Sequence, residues 1–396
     1  MNKSKIGVFF FTFIILIAIT PFIFSKLMNS KFNQMLDSYK KKGIELSEIE
    51  NRSSYLTTDR IFEVNLTKKF LVDNGIKDIN FASFRVETTF KNLPVSQVLF
   101  DIKPLYVDAD IKEKEDLNRF LKKYIRVFIS TNNFKDFVYR LKDIDYKEKN
   151  AIFRLKGLEG IYFSSSKENK SKIKSFYVKN FKDYLELKNI TLKTTLTDDF
   201  IFLSTNFNLN ALLDNNLIQS DNFSYSSNVY LGDFINSDLN IKFDRFYVAN
   251  LFEVKNLSYS LRLTHLQEDS IKTLLSKNSI DKTMQDKAIL KLVNKGLEAK
   301  TSLSIKDINY QKDLGFLDLK SNIQIQENNL TTLKNIDKYI TATLNLKTTM
   351  PFATFLMKTV PYSMFVFAMA EKDKDNVIIN IAMKDGKLFV NGKELK

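Results

Sequence analysis

The sequence predicts a mainly β protein: elongated antiparallel sheets, in sandwich or groove form, with a few helices and one N-terminal transmembrane helix. Three observations carry this expectation. Beyond Arg60, apolar and polar residues alternate through segment after segment, which is the period of a half-buried antiparallel strand. Gly (10) and Pro (5) are too few for a collagen-like or flexible-linker chain, whereas 35 Phe can fill a core or line a groove. Finally, Ile6–Phe24 runs 19 residues without a charge; as a helix it spans about 28 Å, against the roughly 30 Å hydrocarbon core of a bilayer.

The apolar stretch sets the domain plan: an anchor over 1–26, a juxtamembrane helix and linker over 27–55, and a β-rich body over 56–396 with a candidate sub-division near 212–222. Ile6, Phe10, Phe13, Ile15, Leu16 and Phe24 are the anchor residues. The stretch reads as uncleaved. Its core runs into Phe22-Ile-Phe24 and then Ser25, Lys26, Leu27 and Met28, with no small-x-small cleavage pattern and no Cys for lipidation. Lys3 and Lys5 precede it, and Lys26, Lys31, Lys40, Lys41 and Lys42 follow. A strict positive-inside count would hold the body in the cytoplasm, but long domains translocate largely regardless of charge. The expectation is therefore a cytoplasmic N-terminus and an exported body.

Residues 27–42 carry a loose apolar stripe of Leu27, Phe32, Met35 and Leu36, read as a helix leaving the membrane and ending at Gly43. Strands follow where alternation is clear, as in Arg60–Leu66 and Phe84–Phe90. Further strands are expected at 151–163, 173–196, 201–209, 239–248, 258–263, 301–310, 314–326 and 339–348. A short pattern recurs: Ile76-Lys-Asp-Ile-Asn-Phe81, Leu141-Lys-Asp-Ile-Asp-Tyr146, Leu187-Lys-Asn-Ile-Thr-Leu192, Val254-Lys-Asn-Leu-Ser-Tyr259 and Ile305-Lys-Asp-Ile-Asn-Tyr310. Apolar residues three apart break a period of two. A strand that keeps both on one face must bulge between them, and Asn and Asp tolerate the backbone this requires. Each copy is expected where a strand passes its apolar face to another layer. The spacing is uneven, so no strict repeat is implied.

Three helices interrupt the strands. Glu113–Ile125 has Leu117, Phe120, Leu121 and Tyr124 on one face. Ser279–Lys295 has Ser279 as N-cap, Gly296 after its end and Ile280, Met284, Ala288, Leu292 and Val293 as its buried stripe. Pro351–Ala370 is long enough to span a bilayer, but Lys358 and Pro361 near its middle argue for packing on the sheet or lying on the membrane surface. The C-terminus reads as a hairpin turning at Asp385-Gly386.

Little chemistry is legible. With no Cys and one His, thiol catalysis and multi-His metal sites are excluded, and no glycine-rich phosphate loop is present. Asp198-Asp199 reads as a turn, His265 as a surface or capping residue, and Ser164-Ser-Ser166 with Lys167 as a loop. The net charge of +14 could serve phosphates. Lys, Asn, Ile, Phe and Tyr are abundant together, however, as AT-rich codons favour, so the excess Lys is read as solvated faces with some attraction to anionic headgroups.

Near the middle lies Phe153-Arg-Leu-Lys-Gly-Leu-Glu-Gly-Ile-Tyr162. The end reads Asn376-Val-Ile-Ile-Asn-Ile-Ala-Met-Lys-Asp-Gly-Lys-Leu-Phe-Val-Asn-Gly-Lys-Glu-Leu395. With the basic anchor and β-rich body, these stretches resemble the YdgA-like family of bacterial envelope proteins of unknown function. The resemblance implies an inner-membrane protein facing the periplasm, without catalytic residues to carry over. It also implies a distant similarity to AsmA-like proteins, whose sheets curl into apolar grooves. The functional expectation is a non-enzymatic envelope protein that handles lipid or another apolar ligand in a sheet groove. A self-associating envelope scaffold is the alternative. Membrane lipid, a second copy or an envelope protein are the expected partners, with no nucleic acid, cofactor or metal.

Overall fold

The computed structural model describes residues 30–38, 40–42, 44–54, 56–91, 97–110, 114–275, 282–360 and 363–395. The protein is mainly β, antiparallel, with few helices. The chain forms two compact units, 1–174 and 175–396, and passes from one to the other within a single strand, Glu168–Asn180. Each unit is described by itself. The anchor residues Ile6, Phe10, Phe13, Ile15, Leu16 and Phe24, and the Gly43 stop, lie outside the described residues.

Unit 1 opens with helix α1 (30–38 and 40–41). Strands β1 (Ile44–Ser53) and β2 (Thr57–Leu66), helix α2 (Lys68–Asp73), strands β3 (Ile79–Lys91) and β4 (Gln97–Ala109) and helix α3 (Lys114–Tyr124) follow. Then come β5 (Val127–Thr131), β6 (Phe137–Leu141), β7 (Ile144–Lys147), β8 (Ala151–Lys156), β9 (Glu159–Phe163) and β10 (Glu168–Asn180). Strands β1 to β6 pair antiparallel in chain order, β6 then pairs with β9, and β7–β8 is a hairpin. Residues 44–53, expected as linker, are thus strand β1. Its alternation is hidden because Glu and Asn fill its exposed side and a bulge interrupts it between Glu48 and Glu50.

The expected stripe of α1 is real, but it makes a plug rather than a stalk. Phe32 is 1 % exposed in a cluster with Phe62, Phe90 and Val98, and Met35 and Leu36 pack against that cluster. Its ring meets Phe90 edge-on at 5.0 Å and Phe62 at 5.6 Å, a favoured aromatic geometry. Arg60 ties the same place together. Its guanidinium lies 5.3 Å from the Phe32 ring centroid, bonds Glu48 through two nitrogens (2.8 and 3.0 Å) and donates to Asn33 Oδ1 at 2.7 Å. A buried cation is tolerated only when paired in this way. The hydrogen bonds from Arg60 also hold the Glu48 carboxyl below its ordinary value.

Helix α3 packs Leu117 and Leu121 over Ala82, Val107 and Ala109, as its stripe predicts. Asn118, unmarked in the sequence, is its pin. The side chain accepts the Val107 N–H (2.7 Å) and donates to the Val107 carbonyl (2.8 Å), meeting backbone groups of β4 beyond the reach of its pairing with β5.

Unit 2 is an antiparallel meander of long strands: β11 (Asp183–Leu196), β12 (Phe200–Leu213), β13 (Asn216–Tyr230), β14 (Phe234–Val248) and β15 (Phe252–Gln267). After helices α4 (Glu268–Leu275) and α5 (Lys282–Asn294) come β16 (Leu297–Tyr310), β17 (Lys312–Ile325) and β18 (Ile340–Thr349). Helices α6 (Met350–Thr359) and α7 (Ser363–Ala368) follow, then β19 (Glu371–Asp373), β20 (Asn376–Lys384), β21 (Lys387–Val390) and β22 (Lys393–Leu395). Strands β11 to β18 pair with their chain neighbours, and β18 pairs with β20. The segment expected as one strand over 173–196 is two, β10 and β11, turning at Phe181 with φ +54°. Residues 212–222, the candidate sub-division, form the hairpin between β12 and β13. Asp214 and Asn215 both have positive φ there, the backbone of a tight two-residue turn. The Asp385-Gly386 turn is found as expected, with φ of +52° and +74°.

The recurring pattern coincides with a register shift in its first, third and fifth copies, and the fourth carries a left-handed Asn256 without a shift against either neighbour. Asn189 (φ +54°) and Asn256 (φ +51°) are left-handed. The register shifts between Lys188 and Thr191 against β12, and between Ile305 and Ile308 against β17. In the first copy the shift falls between Ile79 and Phe81 at the start of β3, and the second copy sits at a strand boundary, where Leu141 closes β6 before Ile144 opens β7. The bulges do not hand the strand to another layer, as expected. They keep its apolar side on the same face of the same sheet.

Helix α5 keeps Ala288 and Val293 buried, but Met284, expected in the stripe, is 61 % exposed, and Ser279 and Ile280 lie outside the described residues. The expected helix 351–370 is two helices, interrupted after Thr359; proline at 361 cannot continue a helical ladder. Both halves pack on the sheet: from α6, Phe352 joins Ile308, Leu314 and Leu317 and Ala353 joins Val377, Ile379 and Val390, and from α7, Val366 and Phe367 pack against the latter cluster.

Two substitutions check this account. Phe32→Ala empties the centre of an aromatic cluster, and its expected cost is about 3–5 kcal/mol of unit 1 stability in chemical denaturation. Asn256→Val places a β-branched residue at positive φ and should cost about 1–2 kcal/mol, whereas Asn256→Gly should cost less, because glycine adopts that backbone freely.

Candidate functional site

The register of unit 2 separates two chemistries. Ile241, Tyr259, Leu303, Leu319, Leu346 and Ile379 lie directly opposite one another in six successive strands. One residue along, the opposed set is Asn240, Ser260, Ser302, Lys320, Asn345 and Asn380. Adjacent residues of a strand point to opposite sides. The sheet therefore carries an apolar face and a face of amides, hydroxyls and charges.

Among the described residues, α6 and α7 pack on one end of the apolar face. Ile379 is 1 % exposed and Val377 2 % exposed beneath α6 and α7. In the same row, Ile241, Tyr259, Leu303, Leu319 and Leu346 are half-buried, Leu303 and Leu346 against the cluster that holds Phe352 of α6. Of the described residues of β11 to β14, only Ala211, Ser220 and Val248 are buried. Aromatic rings gather along the line of bulges: Phe207 stacks on Phe223 at 4.7 Å, and Phe246 lies 5.8 Å from both Phe243 and Phe252. Ser220, buried on this face opposite Leu209, leaves its hydroxyl without a hydrogen bond.

The polar face carries cross-strand ion pairs by contrast, although Asn322 leaves a buried Oδ1 without a hydrogen bond. Arg262 pairs with Asp238 at 2.6 Å, Arg245 with Glu253 at 2.5 Å and Lys255 with Asp307 at 3.0 Å. These carboxylates raise the pKa of Arg262 and Lys255 above their ordinary values, hydrogen bonding being the main cause. A groove of about 580 Å³ lies on this face, lined by Asp238, Asn240, Arg262, Lys300, Lys320 and Asn345 among others. Water and internal ion pairs account for such a lining. The apolar face has no such account.

Unit 1 has a smaller groove of about 380 Å³ that includes Glu87, Asp101, Phe128, Tyr139 and Arg140. Asp101 accepts from Arg126 Nε at 2.8 Å, and Lys103 lies 3.6 Å away. The hydrogen bond from Arg126, ahead of the charge of Lys103, holds the Asp101 carboxyl below its ordinary 3.8. A carboxylate held ionised and doubly paired is a poor general base.

The side chains singled out in the sequence do not converge. Asp199 sits in the β11–β12 turn, where its carbonyl accepts from Leu231 N. His265 is exposed within β15 at φ +63°, and its backbone N–H donates to Asn236 Oδ1 at 3.0 Å. Ser164, Ser165, Ser166 and Lys167 form the exposed turn between β9 and β10. Among the described residues no group of His, Asp and Glu could hold a metal, and no helix is long and apolar enough to cross a membrane. What the sequence reading missed is β13, which completes the apolar face. Ser and Asn fill its polar side, and Asp221 and Asn222 (φ +52°) break its alternation. No family model matches the chain, and no curated protein or solved structure matches it.

The Asp101–Arg126 pair gives a signed prediction. A depressed carboxyl stabilises the fold at pH above its ordinary 3.8, and the contribution is lost as pH falls through the depressed value. Asp101→Asn should therefore be less stable than the parent chain at neutral pH. In acid denaturation the difference should close between about pH 5 and pH 2.

Proposed function

We propose that the apolar face of unit 2 binds acyl chains of membrane lipid, and that the uncharged Ile6–Phe24 stretch anchors the chain in a bacterial inner membrane with its body in the periplasm. The observation that carries this reading is the single register row that is sealed at Ile379 and half-open from Leu319 back to Ile241. Soluble surfaces rarely expose a contiguous apolar patch of more than a few hundred Å² without a binder for it. An acyl chain suits the row because it asks for no hydrogen bond, and the face offers Leu, Ile, Phe and Tyr in strips running across the strands. The anchor supplies lipid at high local concentration. Among the described residues no group of His, Asp and Glu that could hold a metal accompanies the face, and the role we propose for it is binding and handling. The resemblance to YdgA-like and AsmA-like envelope proteins leads to the same reading from the sequence side.

The test is labelling of the full chain, in vesicles, with a phospholipid carrying a photoreactive acyl chain. Labelled peptides should map to β12–β16. Ile241→Glu and Leu261→Glu, both at half-buried positions, should reduce labelling by about tenfold, since a carboxylate in an apolar contact costs more than 1.4 kcal/mol. Labelling that is absent, or that ignores both substitutions, overturns the proposal. Crosslinked dimers in its place would favour the self-associating scaffold.

A further inference from the structure

Helices α6 and α7 seal one end of the apolar face, yet they are apolar on their outer side as well. In α7, Val366 and Phe367 face the sheet cluster, while Met364 is 59 % and Phe365 64 % exposed, with Val360 exposed just before them. A helix that is apolar on all sides belongs inside a protein or in contact with lipid. From Met350 to Ala370 the only charge is Lys358, which is exposed and basic; the first acid is Glu371, on β19. Ser363 Oγ shares its one proton between the carbonyls of Leu356 (2.9 Å) and Val360 (2.8 Å), which ties the start of α7 to the end of α6. Val360, Met364 and Phe365 are exposed on these two tied ends.

We infer that the exposed Val360, Met364 and Phe365 insert into the surface of a lipid bilayer, as a second membrane contact besides the uncharged N-terminal stretch. The chemistry matches an interfacial insertion: large flexible apolar side chains, no acid among them, and one Lys whose stem can lie along the acyl boundary while its ammonium meets a phosphate. The inference rests on the lipid reading of the sheet face only for its purpose, which is to place the sealed end of that face against the source of acyl chains.

The chain has no cysteine, so Phe365→Cys, Met364→Cys and, as control, Asp233→Cys in the exposed β13–β14 turn each give one site for an environment-sensitive fluorophore. The full chain is reconstituted in vesicles of equal parts phosphatidylethanolamine and phosphatidylglycerol, with and without a doxyl-labelled lipid. Labels at 364 and 365 should emit at shorter wavelength than the label at 233 and lose about half their intensity or more to the doxyl lipid, as expected for side chains at the acyl boundary. Water-like, unquenched emission at both sites overturns the inference. So does a blue shift without quenching, which would mean that protein covers these side chains. Unchanged thermal unfolding of the labelled chains guards against a folding defect, and the two positions guard against a defect at either one. Photolabelling of the sheet face with unquenched labels at 364 and 365 would sink this inference alone, and quenched labels there with an unlabelled sheet would sink the other reading alone.

Discussion

A β-strand gives successive side chains to opposite sides of its sheet, and one misplaced residue exchanges the sides. Unit 2 depends on that constraint. Its strands are 14 to 16 residues long from β11 to β17, long enough that strand twist and sequence drift would mix the faces. The left-handed Asn189, Asn222 and Asn256 absorb an odd residue where the alternation slips. On either side of these positions the apolar residues return to one face: Leu192 and Leu187 in β11, Tyr225 and Ile218 in β13, Tyr259 and Val254 in β15. Without that correction, half of each strand would turn its Leu and Ile toward the charged side.

The corrected register also explains why the two faces differ in energetic character. On the polar side, Arg262, Arg245 and Lys255 each find a carboxylate on a neighbouring strand. Such cross-strand pairs contribute little individually, but they leave few charges in search of a partner. On the apolar side the gain comes from burial, and it is unevenly collected: complete beneath α6 and α7, partial from β11 to β14. Unit 1 follows the other course. Phe32 from α1 closes its aromatic cluster, and Arg60 locks α1 to β1 and β2. The same residue types serve a filled core in one unit and an open face in the other, and the difference is whether a helix is delivered to cover them.

This difference also marks what was legible in advance. Alternation announced the β class and most strands of unit 2, because Leu, Ile and Phe against Ser, Asn and Lys is a strong period-two signal. The Lys-Asn and Lys-Asp pattern announced the bulges because the backbone demand is local. Strands β1, β4 and β13 are among those that escaped, and each is crossed by a register shift, since a bulge erases the alternation that reveals a strand. Asn118 escaped because nothing in a helix marks one amide as the partner of a distant backbone. The openness of the face was not legible at all. Half-buried Ile241 and buried Ile379 are the same residue in the same alternation, and only the placement of α6 separates them.

The position of that cover bears on how the face can work. If the sheet were simply an unfinished core, the cheapest remedy would be a polar substitution at exposed apolar sites, which strand propensity tolerates: Thr and Tyr serve a half-buried pleat as well as Ile does. The polar side of the same strands shows that such residues are readily accepted there. Leu and Ile persist nonetheless across β14 to β17 on the side away from the ions, and β15 holds Asn256 there in a backbone that non-glycine residues adopt only at a cost. That persistence supports the binding role proposed for the face.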